Sequence, residues 1–165
     1  MAETRKAVLT GGCQCGAVRF AAYTAPVDVG VCHCRMCQKA MGGPFASFAG
    51  FKLADFAWTR GTPGVFRSSS VAERGFCAAC GTPLFMRAGD ECVIEVTTGA
   101  IDEPARVAPT FEVGTEAKLA WLADIAAFPG RSTAEASGKA AIAKIVSYQH
   151  PDHDTGADWA PAEKH

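Results

Sequence analysis

Long apolar runs, basic stretches and helical periodicity are all scarce in this chain, and each scarcity removes a class of function. No apolar run approaches the ~20 residues that a membrane span requires, so no membrane partner is expected. The N-terminal "MAETRKAVLTGG" lacks the long apolar core of a secretory leader, which makes a cytoplasmic, reducing location the expectation. Lys and Arg are scattered (Arg5, Lys6, Arg19, Arg35, Lys39) and the net charge is −1, so no electrostatic footprint for nucleic acid is visible. An apolar fraction of 48% with 20% charged residues describes a soluble globular chain, and 165 residues are enough for one domain with a real core.

What the chain does have is cysteine. Its eight cysteines fall in close groups, Cys13/Cys15, Cys32/Cys34/Cys37 and Cys77/Cys80, with Cys92 alone. They amount to about 5% of the chain, below the density of a disulfide scaffold. Close spacing in a chain read as cytosolic points to metal binding or redox chemistry rather than to bridges.

Helical periodicity is poor up to about residue 115, whereas "AVRFAAYT" (17–24), "PFASFAGF" (44–51) and "ECVIEVTTG" (91–99) have strand-like composition and length. Gly- and Pro-rich punctuation at 11–12, 42–44, 61–64 and 81–83 separates them. A mainly β core follows, with a single turn of helix near Cys37. "EAKLAWLADI" (116–125) reads either as a short helix or as an extended segment. "GKAAIAKIVSYQ" (138–149) places Ile142, Ile145 and Val146 on one face, which predicts a C-terminal helix. The linker candidate is 128–138, dividing a domain of residues 1–130 from an extension over 131–165.

"GGCQCGAVRF" and "GFCAACGTPLF" carry C-x-C and C-x-x-C. In an extended strand, residues i and i+2 face the same way, so Cys13 and Cys15 can present two sulfurs together. Cys77 and Cys80 flank a tight turn that Gly81 can close with a positive φ. Two such pairs make a tetrahedral four-cysteine zinc site coupled to folding, although spacing alone does not fix which pair joins which. A thioredoxin-like reading of C-x-x-C needs a following helix, which Pro83 opposes.

"VCHCRMCQKA" sets three cysteines within six residues. Cys32 and Cys34 share a strand face, Cys37 joins them if the chain turns into helix, and His33 is turned to the other side. A fourth ligand is not obvious. Cys92 alternates with Ile94 and Val96 and is expected in the core. His150, Asp152, His153 and Asp154 are expected in a solvated loop. The fourth position is therefore expected to be open to water or substrate, as in a catalytic zinc. Three thiolates around a doubly charged zinc leave one net negative charge, which disfavours ionising water and suits a thiol-containing substrate. Arg35 and Lys39 stand near enough in sequence to offset that charge.

In this order and spacing, "GGCQCGAVRF", "VCHCRMCQKAMGG" and "RGFCAACGTPLF" resemble the glutathione-dependent formaldehyde-activating family, which includes centromere-protein-V-like proteins, over residues 7 to 128. The resemblance implies a β-tent fold of antiparallel sheets. It implies a structural zinc on Cys13, Cys15, Cys77 and Cys80 and a catalytic zinc on Cys32, Cys34 and Cys37. It also implies a carbon–sulfur lyase that adds glutathione, or another thiol, to formaldehyde or a related aldehyde. Thr110-Phe111 stands where that family often carries a His-Ile pair. Arg67, Ser68, Ser69 and Arg74 are candidates for holding glutathione carboxylates. The reading from a different class is a zinc-stabilised β-tent binding module without catalysis.

Overall fold

The computed structural model describes residues 5–89, 92–156 and 158–160. Among these, the strands are β1 (Leu9–Gly12), β2 (Arg19–Ala22), β3 (Asp28–Cys32), β4 (Ala46–Lys52) and β5 (Phe56–Arg60). They continue with β6 (Gly64–Arg67), β7 (Ala72–Phe76), β8 (Pro83–Ala88), β9 (Val93–Thr97) and β10 (Phe111–Val113). The helices are short: α1 (Arg35–Met41), α2 (Thr133–Ser137) and α3 (Lys139–Ile142). The protein is therefore mainly β, as its composition predicts.

Two sheets form, a three-stranded one in the order β1-β2-β5 and a seven-stranded one in the order β10-β3-β4-β9-β8-β7-β6. All pairings are antiparallel except β10 with β3, which is parallel. That single parallel edge departs from the all-antiparallel expectation. It arises because the chain reaches β10 through a long connection from β9 rather than through a hairpin.

Strand alternation gives the large sheet two faces with different duties. From one face Ala49, Phe51, Ile94, Val96 and Phe85 meet Phe20 and Ala22 of the small sheet, with Phe56 and Trp58 packed against them. Phe20 stacks on Phe56 at 5.3 Å and Trp58 lies 5.7 Å from Phe85. Burying each large side chain here stabilises the fold by about 1.5–3 kcal/mol. A Cβ at Gly75 would lie 1.8 Å from the Phe85 ring, so only glycine lets that ring cross β7. From the other face Ala46 and Phe48 pack against Cys37 of α1, with Met41 and Met86 beside them. The core thus separates the two regions where cysteines gather.

The expected C-terminal helix over 138–149 shortens to Lys139–Ile142. Ile145 and Val146 are 68% and 60% exposed, so its apolar face has nothing to pack on, and short helices gain their stability mainly from packing. The segment left open between helix and extended forms a run of 3₁₀ turns at Ala120–Ala127. Beyond it the chain returns to the core. The His150 N–H donates to Gln14 O at 2.7 Å, Asp154 pairs with Arg19 at 2.8 Å, and Arg60 donates to Thr155 and Gly156.

Candidate metal centres

The first cluster joins the loop after β1 to the loop after β7. Cys13 and Cys15 bracket a turn in which the Gly16 N–H donates to Cys13 O, and the Val18 N–H reaches Cys13 Sγ at 3.3 Å. Cys77 and Cys80 bracket a second turn, closed by the Gly81 N–H on Cys77 O with Gly81 at φ 77°, the conformation its position predicts. All four sulfurs lie within 4.8 Å of one another, with Cys13–Cys15 at 3.5 Å and Cys15–Cys77 at 3.8 Å. A tetrahedron with metal–sulfur bonds of about 2.3 Å has edges of about 3.8 Å, so the spacing of the four thiols suits a single ion.

The second cluster sits on one strand–helix junction. Cys32 ends β3, Cys34 caps α1 and Cys37 lies in its first turn. The Cys34 backbone is extended and its Sγ accepts the Cys37 N–H at 3.4 Å, so a sulfur does the work usually done by a serine hydroxyl. The three sulfurs converge within 4.8 Å, and among the described residues no fourth Cys, His, Asp or Glu joins them. Three soft donors at this spacing fit an ion that keeps one position for something else.

The surroundings explain why nothing local completes the set. His33 is buried on the opposite side of the strand, as alternation predicts, with Nε2 at 3.2 Å from Glu112 and its ring against Phe45. Gln38 donates to His33 O and Ala117 O, fixing α1 to its surroundings. Gly114 presses on Cys34 so closely that a Cβ there would lie 2.7 Å from the Cys34 nitrogen. The cation beside the trio is Arg74, whose Nη2 donates to Cys37 Sγ at 3.3 Å. Arg35, expected to offset the cluster's charge, instead bonds Gln38.

Other sequence expectations sort themselves in the same way. Arg67, Ser68 and Ser69 bond within the β6–β7 turn, to Ser69 O, Ser70 O, Ala72 O and the N–H groups of Val71 and Ala72. Of that group only Arg74 points toward the cysteines, a role no local spacing reveals because it is set by cross-strand register with Met86. Cys92 is exposed rather than in the core, since β9 begins only at Val93 and the alternation with Ile94 does not extend back to it. His150 is buried rather than solvated, with Nδ1 at 2.7 Å from Pro151 O and Nε2 at 2.9 Å from Thr155 Oγ1, and it joins neither cluster.

As free thiols the cysteines titrate unevenly. Burial, helped by Cys13 and Cys80, pushes Cys15 up to about 12, and burial with Cys37 and Cys34 does the same to Cys32. Burial also opposes the Cys80 thiolate, but the hydroxyl and N–H of Thr82 outweigh it and bring that thiol to about 6. Cys34 is likewise lowered, its burial overcome by the Cys37 N–H and the neighbouring sulfurs. Each cluster therefore retains protons that a metal must displace.

Comparison with known proteins gives the same ground a family. A Schizosaccharomyces pombe protein named as an uncharacterized lyase is 33% identical over 75 residues, which are 46% of this chain and 54% of that protein. The chain thus spans about half the length of this curated relative. A crystal structure of a Rhodobacter sphaeroides protein superposes with a TM-score of 0.51 at 23% identity, covering 63% of this chain and 99% of that one, a likeness of fold. The model of the glutathione-dependent formaldehyde-activating enzymes matches residues 8–117, a span that holds both clusters and Arg74. With two thirds of its length under that match, the chain belongs to the glutathione-dependent formaldehyde-activating enzyme family.

Proposed function

We propose that this chain is a zinc-dependent carbon–sulfur lyase that joins a thiol, glutathione in its family's description, to formaldehyde or a related aldehyde. The observation that carries the reading is the trio Cys32, Cys34 and Cys37, convergent, uncompleted by any described protein ligand and next to a buried arginine. In this reading Cys13, Cys15, Cys77 and Cys80 hold a structural zinc and the trio holds a second. When bound there, zinc supplies the means to keep a thiol ionised or to polarise a carbonyl oxygen.

The rest is the work of the chain. Cys34 and Cys37 are fixed by the helix cap, so the three sulfurs are set before any ligand arrives. Arg74 holds Cys37 and compensates the negative charge of the thiolates. Glu112 bonds His33 on the side away from the sulfurs, and among the described residues no imidazole stands at the trio to act as a hydrolytic base. Met41, Met86 and Phe48 keep water off one side of the sulfurs. In the joining direction the thiol sulfur bonds to the carbonyl carbon, the carbon–oxygen π pair moves to oxygen, and the thiol proton ends on that oxygen. The reverse step breaks the carbon–sulfur bond. The reacting unit is residues 1–130, with 131–165 an extension, and a cytoplasmic location keeps its thiols reduced.

Exchange NMR on an equilibrium mixture of glutathione and formaldehyde tests the reading, because the adduct also forms unaided and yield alone says little. The zinc-loaded protein is expected to speed the exchange and Cys37→Ala to abolish the gain. Unchanged exchange with glutathione would contradict glutathione as the thiol, and unchanged exchange with every thiol would contradict the lyase and leave a zinc-stabilised binding module.

A further inference from the structure

Between α1 and the β6–β7 hairpin lies a cleft of about 420 Å³. Its walls are mostly apolar, with Met36, Met41, Phe66, Phe76 and Pro83 among them. Arg74 lines it as well and is only 7% exposed. One nitrogen of its guanidinium serves Cys37, whereas Nε and Nη1 are buried with no hydrogen-bond partner. A buried N–H without a partner is unfavourable, so an acceptor oxygen that reached Arg74 from the cleft would stabilise it. Lys39 adds a second cation to the wall, and no Asp or Glu is among the described residues that line it.

We propose that this cleft seats the organic part of the thiol substrate, and that the ligand it fits carries a carboxylate and an apolar body but no ammonium group. As a substrate subsite it rests on reading the cysteine trio as the reacting centre. The carboxylate would satisfy Arg74 from the side opposite Cys37, and the hydrocarbon would lie against the Met and Phe walls. Glutathione answers these demands poorly. Its ammonium group would meet two cations and no acid, and its peptide groups would lose water against apolar side chains. A mercapto acid of intermediate chain length answers them without either cost.

Hexanoate has no thiol and so cannot bind through a metal–sulfur bond. Acetate, which carries the same carboxylate without the apolar body, controls for a carboxylate on the metal and is expected to bind more weakly by about tenfold or more. Isothermal titration of the zinc-loaded full chain is expected to show saturable hexanoate binding and none for hexylammonium. Phe66→Glu and Arg74→Gln are each expected to weaken hexanoate by about tenfold or more. Phe66 lies on an exposed strand, so that variant stays informative even if Arg74→Gln disturbs Cys37. No hexanoate binding, binding that neither substitution changes, or equal binding of hexylammonium would overturn the assignment. In the exchange assay 6-mercaptohexanoate is expected to reach half-saturation at about tenfold lower concentration than glutathione, and the reverse order would overturn the ligand class. Loss of exchange with every thiol while hexanoate still binds would instead contradict the reading of the trio.

Discussion

Cys13, Cys15, Cys77 and Cys80 come from two loops some sixty residues apart in sequence and close a set of four sulfurs at the end of the core. Cys32, Cys34 and Cys37 come from one strand–helix junction, stop at three and face the opposite side of the large sheet. The donor atom is the same in both, so the difference lies in what each set joins. An ion in the first would tie together segments that have no other covalent link, and its binding energy becomes folding energy. An ion in the second would tie a helix cap to the strand beside it, which is already held by backbone hydrogen bonds. In the proposed reading, closure goes with structure and incompleteness with chemistry.

The sharpest way to break this comparison is to remove one sulfur from each side. Cys77→Ser should cost a large part of the ~10–16 kcal/mol that structural zinc contributes in small domains. That is comparable with the ~5–15 kcal/mol stability of a typical domain, so circular dichroism is expected to show an unfolded chain. Cys37→Ala removes one small buried group and should cost only about 1–2 kcal/mol. Its fold should survive with one metal equivalent lost by elemental analysis and with thiol–aldehyde exchange abolished. Two variants unfolding alike would erase the distinction.

Arg74→Gln comes next in size. Removing a partner of a ligating sulfur costs about 10–100-fold in metal affinity, and a chelator competition should show that loss at the trio only. The smallest effect concerns pH and the C-terminal strap. Burial and the charges of Arg19 and Arg60 hold His150 below its usual 6.5, so in the fold it is neutral. Its contribution is full above 6.5 and is lost as pH falls through its depressed folded value, because the unfolded chain takes the proton more readily. Asp102, opposed by burial but held down by Arg19 and Thr10, behaves alike, present above 3.8 and lost as pH falls below it. Thermal melts should therefore weaken in two steps on acidification, and His150→Gln should remove the upper one.

How much of this was legible follows from range. The cysteine groups, the strand lengths, the turn at Gly81 and the averted His33 are local consequences of spacing and alternation, and the structure shows them. Arg74 was legible only as one polar residue in a polar stretch, because its contact with Cys37 depends on which strands pair. Cys92 escapes the core because the alternation that holds for Ile94 and Val96 stops at the strand end, one residue short of it. The burial of His150 is not legible locally, because nothing in "YQHPDHD" announces that Gln14 O and Thr155 await it. The C-terminal helix was overdrawn because its apolar face meets no partner, a fact of tertiary structure.

The most direct test of the central claim is the absorption spectrum of the protein loaded with cobalt in place of zinc, recorded before and after adding a thiol. Tetrahedral thiolate cobalt reports its ligand set, and both clusters offer the soft donors that hold it. The account predicts two cobalt ions, of which one changes its spectrum on adding thiol. It also predicts that Cys37→Ala keeps only the ion whose spectrum stays fixed. A spectrum indifferent to thiol in the wild-type chain, or one in which both ions respond, would contradict the division into a closed site and an open one.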